Sequence, residues 1–297
     1  MAGGPAVLDC MNMEGGVKFG MNTVLWTWPF SEKHIKLLEK IKSFGYDAAE
    51  IAVEDMSERN VARIEAAFRD NGLDCVLCGV FTADRCIMSE SARGRRNGLD
   101  YFRKLIDLAC RLGASPVVGP AYSVGIYPEF LDRKKRGAAW KRCQESLRRA
   151  GAYASDRNVQ IAIEPLNRYE SNFLNTADEA LKLVNAVHSP AVGVHLDIYH
   201  MNIEEKSLPA AIERVNKKLF HLHVPEHDRG TPGTGHTDWN AVAASVKRVG
   251  FKGYAVIESC HPSVRDIAAA AAIWRRFDGS QDELAKTGLR FLKTIMG

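Results

Sequence analysis

Four residues in the second half of the chain have types and spacings suited to holding a divalent cation and moving protons: Glu164, Asp197, His223 and Glu258. Each ends or nearly ends a short apolar run of strand length: "VQIAIEP" (159–165), "AVGVHLD" (191–197), "LFHLHVP" (219–225) and "YAVIES" (254–259). Side chains alternate faces along a strand, so each run divides into two sets. Val159, Ile161 and Ile163 oppose Gln160, Ala162 and Glu164, and Val192, Val194 and Leu196 oppose Gly193, His195 and Asp197. Phe220, Leu222 and Val224 oppose Leu219, His221 and His223, while Ala255 and Ile257 oppose Tyr254, Val256 and Glu258. The purely apolar sets suit a face covered by helices and the mixed sets suit an interior. Three carboxylates at one rim would repel each other and lose hydration, and a divalent cation relieves both costs. Three carboxylates and one imidazole favour Mn²⁺ or Mg²⁺ before Zn²⁺. Any one of these residues alone could instead pair with an Arg or Lys of the scaffold; four in phase favour the cation. His195 and His221 lie one pleat deeper and read as interior hydrogen-bonding or supporting groups. Glu50, in "AAEIA", shares the interior phase and is a candidate partner for an interior histidine.

The rest of the chain supplies the frame. Four further strand runs precede these: 18–26, 47–53, 74–80 and 115–120. Helical patterns alternate with all eight. Ser31 and Gly45 bracket the first; Gly72 and Gly113 close the second and third. Thr176 with Glu179 has the form of a capping box, Ser207 opens the sixth, and Asp238 and Gly250 bracket the seventh. Eight such units predict an α/β fold, a single-domain (β/α)₈ TIM barrel, whose sites lie at the C-terminal rim. An open doubly wound sheet would carry a glycine-rich turn after its first strand, and "VLWTWPFS" is not one. The barrel is expected over residues 17–297, after a flexible extension at 1–16, with "SQDELAKTGLRFLKTIMG" as an extra C-terminal helix.

Composition narrows the partners. Forty basic and 36 acidic residues give a net charge of +4, too balanced to imply nucleic acid or a membrane surface. The basic runs "RGRRNG" (93–98) and "RKKRG" (133–137) read as solvated helix faces. The sequence has no apolar run long enough to span a bilayer and no secretory pattern at its start. Seven scattered cysteines suit reduced thiols in a cytoplasmic protein, and "CVLC" lacks the second pair of a zinc site.

The stretches "IEPLNRYE", "HLDIYHMNIEE", "HLHVPEHDRGTPGTGHTDW" and "WRRFDGSQDELA" resemble the D-tagatose 3-epimerase and D-psicose (D-allulose) 3-epimerase family. The likeness covers nearly all of the chain after the extension. It implies a barrel with a divalent metal, commonly Mn²⁺ with Co²⁺ or Mg²⁺ as substitutes, held by Glu164, Asp197, His223 and Glu258. It implies that Glu164 and Glu258 are the proton-transferring pair, and that Glu170, His200 and Arg229 hold the O1–O3 end of a ketose. It further implies a homodimer or homotetramer. Trp26 is placed to wall the pocket. "IESC", "GPAYSVGIYP" and "MNTVLWTW" depart from the family's usual forms in segments that meet the far end of the sugar, and "VPEHDRG" looks like the L-ribulose 3-epimerase branch. A related barrel isomerase, of hydroxypyruvate or aldose–ketose type, is the nearest rival. An endonuclease IV-like enzyme would need more histidines than the nine present, and a mere sugar-binding module needs no paired bases.

Overall fold

The computed structural model describes residues 16–122, 130–277 and 279–297. Its elements run β1 Lys18–Asn22, α1 Lys36–Phe44, β2 Ala48–Ile51, α2 Glu58–Asn71, β3 Asp74–Cys78, α3 Ala92–Leu112, β4 Val117–Val118, α4 Arg133–Ser155 and β5 Ile161–Ile163. They continue as α5 Ala177–Val187, β6 Val192–Asp197, α6 Ile198–Glu204, α7 Leu208–Val215, β7 Leu219–His223, α8 Trp239–Val249, β8 Tyr254–Ile257, α9 Arg265–Ala270 and α10 Gln281–Met296. The strands close as one barrel in chain order, with β8 pairing in parallel with β1. The (β/α)₈ expectation holds, C-terminal helix included. Short helices α6 and α9 are additions at the rim. Of the expected extension only Gly16 is among the described residues.

The strands are shorter than their apolar runs, and the sequence explains why. β4 is confined to two residues between Pro116 and Pro120, neither of which can donate to the ladder. Pro165 follows β5 closely. β1 stops at Asn22 because the Asn22 side chain accepts from the Val24 amide (2.9 Å) and turns the chain into a 3₁₀ turn. The glycine stops at Gly45, Gly72, Gly113 and Gly250 are all left-handed helix ends. Thr176 caps α5, but Glu179 reaches back to the Asn175 amide (2.9 Å), one residue before the cap, so the capping box is only half formed.

The expected facing of β7 needs one correction. Between β6 and β7 the register slips, pairing Val194 with Leu219 and His195 with His221, so Phe220 is an extra residue. Leu219 therefore joins the core under the helices, while Phe220 turns inward beside Ala48, Val76, Val118 and Ala162. Phe220 lies over Gly193, where any Cβ would overlap its ring. The slip restores the inward phase at His221 and His223. Cys75 packs in the outer core and Cys78 against the interior cluster, so "CVLC" points to opposite sides. The lower end of the barrel is tied by Lys18 and Tyr254, which both donate to Asp74 Oδ2 at 2.6 and 3.0 Å. No described helix is long and apolar enough to cross a membrane.

Candidate active site

At the C-terminal ends of the strands, β1, β2, β7 and β8 converge on one fully buried carboxylate, Glu50. Asn22 Nδ2 donates to it at 2.7 Å, and the same amide donates to Glu258 at 3.0 Å. His221 Nε2 lies 2.9 Å from Glu50 Oε2, and His223 Nε2 lies 3.1 and 3.2 Å from the two oxygens. Burial alone would raise the Glu50 carboxyl, but the two histidines outweigh it and hold it at about 2. An ionised Glu50 only accepts, so each ring carries a hydrogen on Nε2, and His223 Nδ1 faces the rim. Glu50 is thus the histidine partner that its strand phase suggested. His195 departs from its expected role: neither ring nitrogen makes a hydrogen bond. It packs edge-on against His221 and His223, with ring centroids 4.7 and 4.1 Å away, and burial pushes its pKa well down.

Above this layer sit the remaining charges. Asp197 caps α6 with Oδ1, which accepts from the Tyr199 amide at 2.8 Å, and turns Oδ2 toward Arg229 Nη1 at 3.0 Å. Arg229 Nη1 also donates to Glu258 Oε2 at 2.5 Å, and Nη2 lies 3.2 Å from His200 Nε2. The guanidinium lies over the Tyr199 ring, 4.3 Å from its centroid. His223 Nδ1 is 3.5 Å from both Asp197 Oδ2 and Glu258 Oε2. Glu164 stands across from them, with Oε1 3.6 Å from His200 Nε2 and Oε2 3.7 Å from His195 Nδ1. His200 Nδ1 accepts from the Asn167 amide (3.1 Å), and Asn167 Nδ2 donates to Glu170 Oε1 (2.9 Å).

The two glutamates are driven apart electrostatically. Burial raises the Glu164 carboxyl well above its usual range, and the Glu258 and Asp197 charges add to it. Burial also acts on Glu258, but His223 and Arg229 outweigh it and leave this carboxyl lowered. Burial would likewise lower His223, yet the Glu50 and Glu258 carboxylates raise it well above an ordinary imidazole.

Seven of the eight residues given a metal, catalytic or substrate role from the sequence, Glu164, Asp197, His223, Glu258, Glu170, His200 and Arg229, therefore form one linked cluster. Trp26 differs, since its indole N–H donates to Asp282 of α10 at 2.9 Å. The four candidate ligands do not fall in a single trio. Glu164, Asp197 and His200 make one group with ligand atoms within 4.8 Å of one another, and Glu50, His223 and Glu258 make another. The residues nonetheless fit a divalent cation. Glu164 Oε1 and His223 Nδ1 are buried without a hydrogen bond of ordinary geometry, and the donor set is oxygen-rich with one imidazole. Two participants were not assigned from the sequence. Asn22 bridges Glu50 and Glu258, and its signal was an amide on the interior phase of the first strand. Glu226 organises the loop that carries Arg229 (below), and nothing local distinguished it from a surface acid.

Residues 38–295 match the family described as Xylose isomerase-like TIM barrel. The chain belongs to this family. It is 27% identical over 278 residues to a probable ketose 3-epimerase of Synechocystis sp., covering 93% of this chain and 96% of that one. It is 28% identical over 281 residues to the L-ribulose 3-epimerase of Methylomonas sp., covering 93% and 97%. A solved D-psicose 3-epimerase, crystallised in the presence of D-fructose, superposes with a TM-score of 0.89 at 27% identity, over 95% of this chain and 100% of that one. The resemblance to ketose 3-epimerases read from the motifs thus extends over whole chains and whole folds.

Proposed function

We propose that the chain is an isomerase, a ketose 3-epimerase acting on free ketohexoses or ketopentoses. The pairs in view are D-tagatose/D-sorbose, D-fructose/D-psicose and L-ribulose/L-xylulose. The observation that carries this reading is the convergence of Glu164 and Glu258, from the ends of β5 and β8, on one buried cluster with Asp197, His200, His223 and Arg229. Inverting a carbon beside a ketone requires removing its proton on one face and returning a proton on the other. Two carboxyl groups with opposite protonation preferences suit that task. Glu258 serves as base in one direction and Glu164 as the acid that completes it, and the roles exchange in reverse. Arg229 and His200 donate to the sugar oxygens on which negative charge develops, and Glu170 holds its place through Asn167. Glu164, Asp197, His223 and Glu258 would hold a divalent cation, Mn²⁺ first, with Co²⁺ or Mg²⁺ as alternatives. The bound cation supplies Lewis acidity to the same oxygens. A homodimer or homotetramer is the expected assembly.

The test is incubation with D-fructose, D-tagatose and L-ribulose in the presence of Mn²⁺, in D₂O, with chromatographic separation and NMR of the products. The expected result is a C3 epimer with solvent deuterium at C3. An aldose product would mark an aldose–ketose isomerase instead, and no C3 epimer from any ketose refutes the proposal.

A further inference from the structure

Arg229 lies in the segment joining β7 to α8, residues 224–238, which has no regular secondary structure to fix it. A rim loop of this length must be held by something other than a ladder. At its base is Glu226, a fully buried carboxylate that the chemistry above does not use. One oxygen accepts from the His227 amide (3.1 Å), lies 3.2 Å from His227 Nδ1, and accepts from the Thr237 amide (3.2 Å) and the Thr237 hydroxyl. The other accepts from the Gly233 amide (2.9 Å) and from Trp239 Nε1 (2.8 Å). These donors span residues 227 to 239, so a single carboxylate ties both ends and the middle of the loop.

The backbone of Glu226 sets the turn that launches Arg229. The Arg229 amide donates to the Glu226 carbonyl (2.9 Å), and the Glu226 amide donates to the Gly230 carbonyl (3.2 Å). Ser259 Oγ donates to the same Gly230 carbonyl (3.1 Å), which ties the turn to the end of β8. Arg229 itself has φ 69°, a left-handed conformation unfavourable for a side chain with a Cβ. That conformation is sustained by the bonds on either side. Farther along, Gly233 has φ 87°, and a Cβ there would strike the Phe291 ring of α10, so the loop also lies directly against the C-terminal helix. Burial alone would raise the Glu226 carboxyl, yet the Thr237, Trp239 and His227 donors outweigh it and hold it at about 2.

We infer that Glu226 is a positioning residue for the reaction: it locks the β7–α8 loop so that the Arg229 guanidinium is held between Asp197, Glu258 and His200. The inference rests on the epimerase reading for its kinetic consequence, but not for its structural one. Glu226→Gln keeps the size of the side chain and turns an NH₂ group toward several of the donors. Its expected effect is a 30- to 100-fold fall in kcat with KM changed less than threefold, because Arg229 acts on charge that develops only during the reaction. Trp239→Phe, which removes one donor and keeps the carboxylate, is expected to lose three- to tenfold. In an Arg229→Ala background, Glu226→Gln should add less than a threefold further loss, since the residue it positions is already gone. Losses that multiply in that background, or a folded Glu226→Gln enzyme with wild-type kcat, overturn the inference. Hydrogen exchange tests it without turnover. The amides of Gly233, Thr237 and Arg229 should exchange at least tenfold faster in Glu226→Gln, with the strands of the barrel unchanged. Unchanged protection of those three amides overturns the inference even if the wild-type chain epimerises no ketose, a result that would by itself overturn only the proposed function.

Discussion

Replacing Glu50 with glutamine removes one charge and no volume, and the structure fixes what should follow. Glu50 accepts from three buried donors on two strands, β1 and β7: Asn22 Nδ2 at 2.7 Å, His221 Nε2 at 2.9 Å and His223 Nε2 at 3.1 Å. A glutamine has one acceptor oxygen and one NH₂, so at least one of the three donors must face another donor. A lost hydrogen bond to a charged group costs about 1.5–3 kcal/mol, and a buried donor left unpaired costs about 1–3 kcal/mol more. No water-exposed route relieves either group, because Glu50, His221 and His223 are all essentially inaccessible. The sum is about 2.5–6 kcal/mol, in line with breaking one side of a buried charged pair. For a chain of this size that is a fall in Tm of about 4–10 °C. The second consequence concerns His223, whose ring would no longer be fixed with Nδ1 toward Asp197 and Glu258. Weakening such an outer partner lowers divalent-cation affinity by about 10- to 100-fold. Thermal unfolding followed by circular dichroism, together with calorimetric titration of Mn²⁺, measures both. A Tm within 2 °C of wild type and an unchanged Mn²⁺ affinity would refute the account of Glu50 as the group that orients His223.

Glu258→Gln should fold normally and lose turnover by about 10³-fold or more, because an amide accepts no proton; product formation from D-fructose or L-ribulose measures it. Chelation should abolish epimerisation, and Mn²⁺ at about 100 times its dissociation constant should restore it while adding about 2.7 kcal/mol of stability, read as a rise in Tm. Acid should weaken the rim loop through Glu226: its pKa is depressed from 4.5 to about 2 on folding, so its stabilisation is complete above the unfolded value and lost as pH falls toward the folded one. The shift corresponds to about 3 kcal/mol, of which a little over half is lost between pH 5 and pH 3. The Tm gap between wild type and Glu226→Gln should therefore narrow over that range, and a constant gap would contradict the assignment.

The alternation of side chains was enough to place Glu164, Asp197, His223 and Glu258 at one rim, because inward phase and strand end are both local properties of the sequence. The same rule misplaced Leu219 and Phe220. A one-residue bulge is set by what the neighbouring strand can accommodate, here the bare backbone of Gly193, and no pattern within β7 announces it. Strand lengths were overestimated where proline interrupts the ladder without interrupting hydrophobicity, as around Val117–Val118. Long-range polar pairings were the least legible. Glu226 meets Trp239 thirteen residues on, Asn22 meets Glu258 across 236 residues, and Trp26 turns its N–H to Asp282 across 256. Closure of the barrel brings the last two pairs together, and the fold of the β7–α8 loop the first.

The distribution of unmet polar needs argues for what the rim is built to receive. Buried side-chain atoms without hydrogen-bond partners are rare in folded proteins, because each forfeits its hydration for nothing. Among the described residues, Glu164 Oε1, His223 Nδ1, His221 Nδ1, Arg229 Nε and both nitrogens of His195 are such atoms and cluster at the end of the barrel where β5 to β8 open, while Arg85 Nε, Tyr122 Oη and Arg136 Nε lie outside that cluster. The lower end, where Lys18, Asp74 and Tyr254 satisfy each other, shows the opposite economy. A sequence selected only to fold would have paired or removed these groups, as it did below. Their survival at one rim, with Asp197 and Glu258 sharing the single guanidinium of Arg229, is the arrangement expected where a cation and a polyhydroxylated substrate complete the hydrogen-bonding and charge balance. Local rules of stability are broken here together, and the chemistry of a small polar ligand is what they have in common.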